Sequence, residues 1–147
     1  MATVEEELPA LRAYAQRHGW SVDWNPENLR LAFDGKHPGD ATPVRLVALV
    51  GGYRAVCPAW TFEDPSGIRP LFPRPGPVAG GSSMFLQDKR VICAHFNRLA
   101  YSSEGGPHGD WGGPERWLEV RSHVYAARLA NMLAAILAHL KASPGVC

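Results

Sequence analysis

The spacing of apolar positions changes along the chain, and each change marks an element. Leu8, Leu11, Tyr14 and Ala15 recur at helical spacing and stop near Gly19, a suitable helix end. Ahead of them Thr3 and Glu6 have the spacing of a capping box, and Glu5, Glu6 and Glu7 stand where the positive end of a helix dipole favours acid. Pro9 belongs to this helix or opens it as a first-turn residue. From Trp20 the period falls to two. Trp20, Val22 and Trp24 alternate with polar residues, Asn25 to Asn28 reads as a turn, and Leu29, Leu31 and Phe33 alternate again, which predicts a hairpin. After a polar Gly/Pro loop over Asp34 to Pro43, an apolar strand over Val44 to Val50 joins a strand over Tyr53 to Trp60. Gly51 and Gly52 between them suit a tight hairpin turn. Four strands in succession predict an antiparallel meander.

The prolines between Pro58 and Pro77 neither donate to a strand ladder nor continue a helix, so this segment is expected to cross the domain extended and stiff. Trp60, Phe62, Leu71 and Phe72 make it too apolar for a free linker. Gly80 to Ser83 then reads as a turn, Met84 to Leu86 as a brief strand, and Lys89 to Ala94 as the stretch that brings Cys93 to the surface. Towards the C-terminus Val120, Val124, Ala127, Met132, Ile136 and Leu140, with Leu129, Leu133 and Leu137 beside them, form a broad apolar stripe among alanines. This predicts a helix, ended by Pro144 and Gly145, that packs on the sheet. The expected class is α+β in one domain over residues 1–147.

Composition narrows the function without naming it. A chain of 147 residues fits a single core, and its 46% apolar and 20% charged residues are ordinary for a globular protein. A formal net charge of +1 gives no electrostatic case for nucleic acid or an anionic membrane as partner. Cys57, Cys93 and Cys147 are an odd set without a C-x-x-C pair, so they read as thiols of a reducing compartment rather than as a disulfide framework. The acidic N-terminus has no apolar signal region and no long apolar run follows, so the expected location is cytoplasmic, with no membrane partner.

Candidate chemistry gathers between Asp88 and Trp117. Cys93 ends a short apolar run and is followed by His95, Asn97, Tyr101, His108, Asp110 and Trp111, in a loop that glycine and proline make irregular from Gly105 to Pro114. Cys93 is either a small buried apolar residue or a nucleophile, a choice that rests on exposure and thiolate character. His95 could lower the thiol pKa, relay a proton or be a hydrogen-bonded surface histidine. Asn97 is the best-placed amide for donating to an oxyanion, or else a turn-former bonded to its own backbone. His108 and Asp110 suit an acid/base pair, a metal or a structural clamp. Tyr101, Trp111 and Trp117 read as anchors that pin the loop to the core. Cys93, His95, His108 and Asp110 could together ligate zinc, although their spacing matches no strong zinc motif. The chain has no G-x-S-x-G, Walker A or G-x-G-x-x-G sequence.

Helix, four-strand meander, proline-rich crossing, a cysteine closing a short strand and a C-terminal helix form an order that resembles the ubiquitin-conjugating, E2-like (UBC-like) fold. Phe72-Pro73-Arg74-Pro75 and Ile92-Cys93-Ala94 fall where that family has its aromatic, proline-rich stretch and its catalytic cysteine. Cys93, a polar loop ending in Asp110-Trp111-Gly112 and a following helix look like the bacterial E2-like proteins found in antiphage defence operons with E1-like, ubiquitin-like and JAB-type peptidase partners. The resemblance implies an acyltransferase without cofactor or metal. Cys93 would take a ubiquitin-like protein as a thioester from an E1-like activating enzyme and pass it to an amine on a protein target. It also implies that Arg12, Gln16 and Arg17 on the first helix contact the E1-like enzyme. The stretch from Ser82 to Arg90 lacks the His-Pro-Asn tripeptide of eukaryotic members, which leaves the oxyanion donor to Asn97, His95 or His108. Alternatives are an inactive E2-variant module that only binds a ubiquitin-like or E1-like partner, and a zinc-binding domain built on the loop histidines.

Overall fold

A computed structural model describes residues 3–78, 81–121 and 125–147. Helix α1 (Thr3–Arg17) buries Val4, Leu11 and Ala15 and half-buries Leu8 and Tyr14, as its apolar spacing requires. Pro9 lies inside this helix, not at its start. The helix ends where Gly19 takes a left-handed conformation at φ 78°, while Trp20 N–H and Gly19 N–H donate to the carbonyls of Ala15 and Gln16 at 2.9 and 3.2 Å. That pairing satisfies two carbonyls of the last turn and sends the chain back along the sheet.

Strands β1 (Ser21–Asn25), β2 (Arg30–Lys36), β3 (Pro43–Leu49) and β4 (Ala59–Glu63) form one antiparallel sheet in the order β1-β2-β3-β4. The register aligns Val22, Phe33, Leu46 and Phe62 across it, with Trp24, Leu31, Ala48 and Trp60 one pair further along the same face. These side chains form one core cluster with α1 and the C-terminal helix. The opposite face carries ion pairs, Arg45 to Asp34 at 2.8 Å and Arg30 to Glu63 at 3.2 Å.

Strand β2 continues through Lys36 into the stretch read as loop, and two boundaries nearer the site also differ from the sequence reading. Gly51 and Gly52 do not close a hairpin, and Tyr53 to Cys57 turn instead of pairing, so β4 begins at Ala59. Long-range bonds hold the detour: Tyr53 Oη donates to Glu7 Oε2 at 2.8 Å, Arg54 donates to the carbonyl of Ala127 at 2.7 Å, and Trp117 Nε1 donates to the carbonyl of Arg54 at 3.1 Å. Cys57 is consequently fully buried in a connection and shares no strand face with Tyr53 and Ala55. The C-terminal helix α2 runs over Leu129–Ala142 and does not extend back to Val120, which follows a 3-10 segment over Pro114–Glu119. Val124 lies outside the described residues. The cap of α2 comes from α1, since the buried Glu7 accepts the N–H of Leu129 at 2.7 Å with Arg128 3.7 Å away. Leu129, Met132, Leu133, Ile136, Leu137 and Leu140 then bury the stripe.

The proline-rich crossing is extended and docked, with Phe72, Phe62 and Phe85 packed edge to face at 5.5 to 5.9 Å. The C-terminal residues pair with it: Arg74 N–H donates to Gly145 at 2.8 Å and Cys147 N–H to Phe72 at 3.2 Å. His37 Nε2, buried in the loop after β2, lies 3.0 Å from Ser143 Oγ and fastens the same tail. A short hairpin of β5 (Phe85–Leu86) and β6 (Val91–Ile92) then presents the segment that starts at Cys93. No helix among the described residues is long and apolar enough to cross a membrane.

Candidate active site

Cys93 is the first residue past β6, and its N–H donates to the carbonyl of Met84 at 2.6 Å, so the nucleophile candidate sits on a backbone pinned to the facing strand. Four residues on, Asn97 locks the segment to the main sheet. Its Oδ1 accepts the N–H of Trp60 at 2.8 Å and that of Leu99 at 3.2 Å, and its Nδ2 donates to the carbonyls of Ile92 and Trp60 at 2.8 and 3.3 Å. The amide therefore pairs with Trp60 as a peptide group of a fifth strand would, and it covers the edge of β4. Asn97 is fully buried with both amide hydrogens engaged, so it is not the oxyanion donor that its residue type suggested.

His95 is also withdrawn from the surface. It is fully buried, its ring stacked at 5.4 Å on Tyr125 and at 6.3 Å on Trp117, and its carbonyl accepts the hydroxyl of Tyr101. Of the readings open for His95, that of a surface histidine is excluded by this burial, with the ring packed among Phe96, Trp117 and Tyr125. The proposed zinc set loses its second ligand in the same way. Among the described residues no group of three His, Cys, Asp or Glu side chains is arranged to hold a metal.

The remaining candidates do converge. After the 3-10 turn Arg98–Ala100 the loop swings out and returns, with Ser102 N–H donating to the carbonyl of His108 at 2.9 Å and His108 N–H to that of Ala100 at 3.0 Å. His108 is thus held in a bridge to the fully buried Tyr101. Gly106 permits that return, because a Cβ there would stand 2.3 Å from the Leu99 carbonyl oxygen. The bridge puts His108 Nε2 2.8 Å from Cys93 Sγ, and Asp110 Oδ1 lies 3.0 Å from His108 Nδ1. Trp111 lies flat on the imidazole, with ring centres 3.6 Å apart and planes 2° from parallel, and rests edge-on against Tyr101 at 5.3 Å. Tyr101 and Trp117 anchor the loop by burial, as their size suggests, whereas Trp111 reaches the site itself.

Charge fixes the proton positions. The hydrogen bond from His108 holds the Asp110 carboxyl below its ordinary pKa, so Asp110 is an anion and only accepts. His108 Nδ1 therefore carries the hydrogen, and in the neutral ring Nε2 is the acceptor facing the thiol. Burial, and secondarily the negative charge of Asp110, push the Cys93 thiol above its ordinary pKa. The site thus holds a thiol whose raised pKa keeps its hydrogen on Sγ, facing Nε2, and an imidazole oriented from behind by a carboxylate. This is the arrangement of a nucleophile, its general base and an orienting group.

The thiol opens onto a groove of about 450 Å³ whose walls include Met84, Leu86, Trp111, Ser83 and Arg121. The sequence assigns no chemical role to three of its members. Arg121 is exposed, with no ion pair among the described residues. His139 comes from α2 and its Nδ1 accepts the N–H of Met84 at 3.1 Å, so its neutral ring carries hydrogen on Nε2. Trp111 reads in the sequence only as a packing residue. No local pattern marks the first two, because the fold brings them to Cys93 from separate segments. Family models, curated proteins and solved structures yield no match to the chain.

Proposed function

We propose that the protein is a cysteine-dependent acyltransferase of E2-like type, in which Cys93 carries a ubiquitin-like protein as a thioester. The observation that carries the reading is the line from Cys93 Sγ to His108 Nε2 at 2.8 Å and from His108 Nδ1 to Asp110 at 3.0 Å, at the edge of an open groove. The order of α1, a four-stranded meander, a docked proline-rich crossing, a cysteine at a strand end and α2 supports the E2-like part of the proposal.

In the loading step the thiol hydrogen moves to His108 Nε2 as Sγ attacks the carbonyl carbon of the donor thioester. The bond from that carbon to the donor sulfur breaks, and the proton leaves with the donor as a thiol. In the second step a neutral amine attacks, His108 takes its proton, the bond from carbon to Sγ breaks, and Cys93 recovers a hydrogen through the same ring. Because the thiol is held neutral at rest, His108 must remove its proton during attack, and without that ring the pair loses its base. Side-chain exposures of 28% for His108 and 73% for Asp110 favour a second reading, a thiol hydrolase, since water can reach the same base.

The test supplies a ubiquitin-like protein as a C-terminal alkyl thioester, and in parallel with an E1-like enzyme and ATP. Wild type, Cys57→Ala and Cys147→Ala should form a reductant-sensitive adduct, Cys93→Ser a reductant-resistant one or none, and His108→Ala a slow one. Release of the free acid without an adduct, still dependent on Cys93, replaces conjugation with hydrolysis. Binding without either product supports a non-catalytic module, and an adduct that survives in Cys93→Ala overturns the nucleophile assignment.

A further inference from the structure

His108 gains a positive charge each time it takes a proton from Cys93, and what touches its ring decides how readily that charge forms. Cys93 faces Nε2 and Asp110 faces Nδ1, while Arg121 and His139 line the same groove. The flat face of the ring meets Trp111 alone among the described ring contacts of His108, at 3.6 Å and almost parallel. An indole face is the aromatic surface that attracts a cation most strongly. Trp111 is in turn backed by Tyr101, which is fully buried and bonded to the backbone of His95.

We propose that Trp111 is a positioning residue for the Cys93–His108 pair: its indole face holds the imidazole in line with the thiol and lowers the cost of passing from the neutral pair to the thiolate–imidazolium form. Tyr101 is the base on which it stands. The inference deepens the acyl-transfer reading, but it concerns the proton between two side chains and is measurable without any acyl donor.

The experiment is the rate of Cys93 alkylation by iodoacetamide across a pH series, read peptide by peptide by mass spectrometry, with exposed Cys147 of the same molecule as internal standard. Trp111→Leu keeps an apolar contact and removes the aromatic face, and Trp111→Phe keeps a smaller face. At neutral pH the Leu variant should react roughly 2- to 5-fold more slowly, the factor equivalent to about 0.5–1 kcal/mol of cation–π attraction, with the Phe variant between. At alkaline pH, where the thiol ionises without help from the imidazole, all three rates should converge; a merely structural role would lower the rate at every pH or at none. A ring-fluorinated tryptophan at position 111, which weakens the electrostatic attraction at nearly constant shape, should give the same neutral-pH loss even if the Leu variant does not fold.

Superimposable profiles for wild type, the Leu or Phe variant and the fluorinated protein overturn the proposal, as does a loss equal at all pH values. His108→Ala should abolish the neutral-pH component. If that component persists in His108→Ala, the pair itself is refuted; if it vanishes while no acyl adduct ever forms, the pair and the role of Trp111 stand and only the acyl-transfer reading falls.

Discussion

Asn97→Ala separates a structural from a catalytic amide. The side chain is fully buried and serves four backbone groups, two of them at 2.8 Å, the N–H of Trp60 and the carbonyl of Ile92. Alanine leaves both without a partner where water has no access, and a buried unsatisfied group costs about 1–3 kcal/mol. The longer bonds to the Trp60 carbonyl and the Leu99 N–H add a smaller loss, so the substitution should cost roughly 3–5 kcal/mol, at the upper end for a single change. For a domain of this size that corresponds to a melting point lower by about 10 °C or more. The same carbonyls make Asn97→Asp no milder, since a carboxylate would face them with an acceptor. Urea unfolding gives the stability difference, and Cys93 adduct formation per folded molecule, measured below the lowered melting point, gives the chemistry. Adduct formation should stay near wild type once corrected for folded fraction. A variant within about 1 kcal/mol of wild type that forms no adduct would refute this reasoning and return Asn97 to the oxyanion.

Two further changes test how the scaffold is tied together. Glu7→Ala removes the cap of α2 and leaves Tyr53 Oη and the Leu129 N–H without their acceptor, so chemical denaturation should show a loss of roughly 2–4 kcal/mol, with Glu7→Gln retaining much of it. His37 is buried and its Nδ1 accepts the N–H of Gly39 at 2.8 Å; burial lowers its pKa, with Asp40 opposing the shift. The folded pKa thus lies below the unfolded value of about 6.5, so the stability that neutral His37 contributes is complete above that pH and is lost as pH falls from there through the lower folded pKa. Melting points from about pH 8 to about pH 5 should fall more steeply for wild type than for His37→Gln, and parallel slopes would show that His37 does not titrate with unfolding.

The parts of the fold legible in the sequence are those whose pattern is local. β1 and β2 alternate in residue type because one face meets the core and the other carries polar groups and ion pairs, although Ala32 on that second face is itself buried. Leu8, Leu11 and Ala15 print α1 in the same way. The misplaced boundaries are those set at long range. Gly51-Gly52 has good hairpin chemistry, yet Tyr53 and Arg54 bind Glu7 and Ala127, and those partners pull the chain off the ladder before Ala59. The start of α2 carries no cap of its own, because its cap is a carboxylate on α1. Glu7 therefore reads locally as one of three acids at the start of a first helix and acts instead at the start of the last one.

The candidate site divides along the same line. Cys93, His108 and Asp110 are legible because a short loop can bring together groups so near in sequence, and their chemistry is unusual enough to stand out. Asn97 and His95 have the same residue types and lie closer to Cys93 in the chain, but proximity along a strand end is no guide to direction. At that point the backbone turns into the 3-10 segment, sending Asn97 to the edge of β4 and His95 into an aromatic stack, while Tyr101 turns the loop so that His108, fifteen residues on, meets the thiol. The amide nearest in sequence thus builds the wall from which the more distant imidazole is aimed. Changes at Asn97 and at His108 should accordingly diverge, one in stability and the other in the ionisation of Cys93.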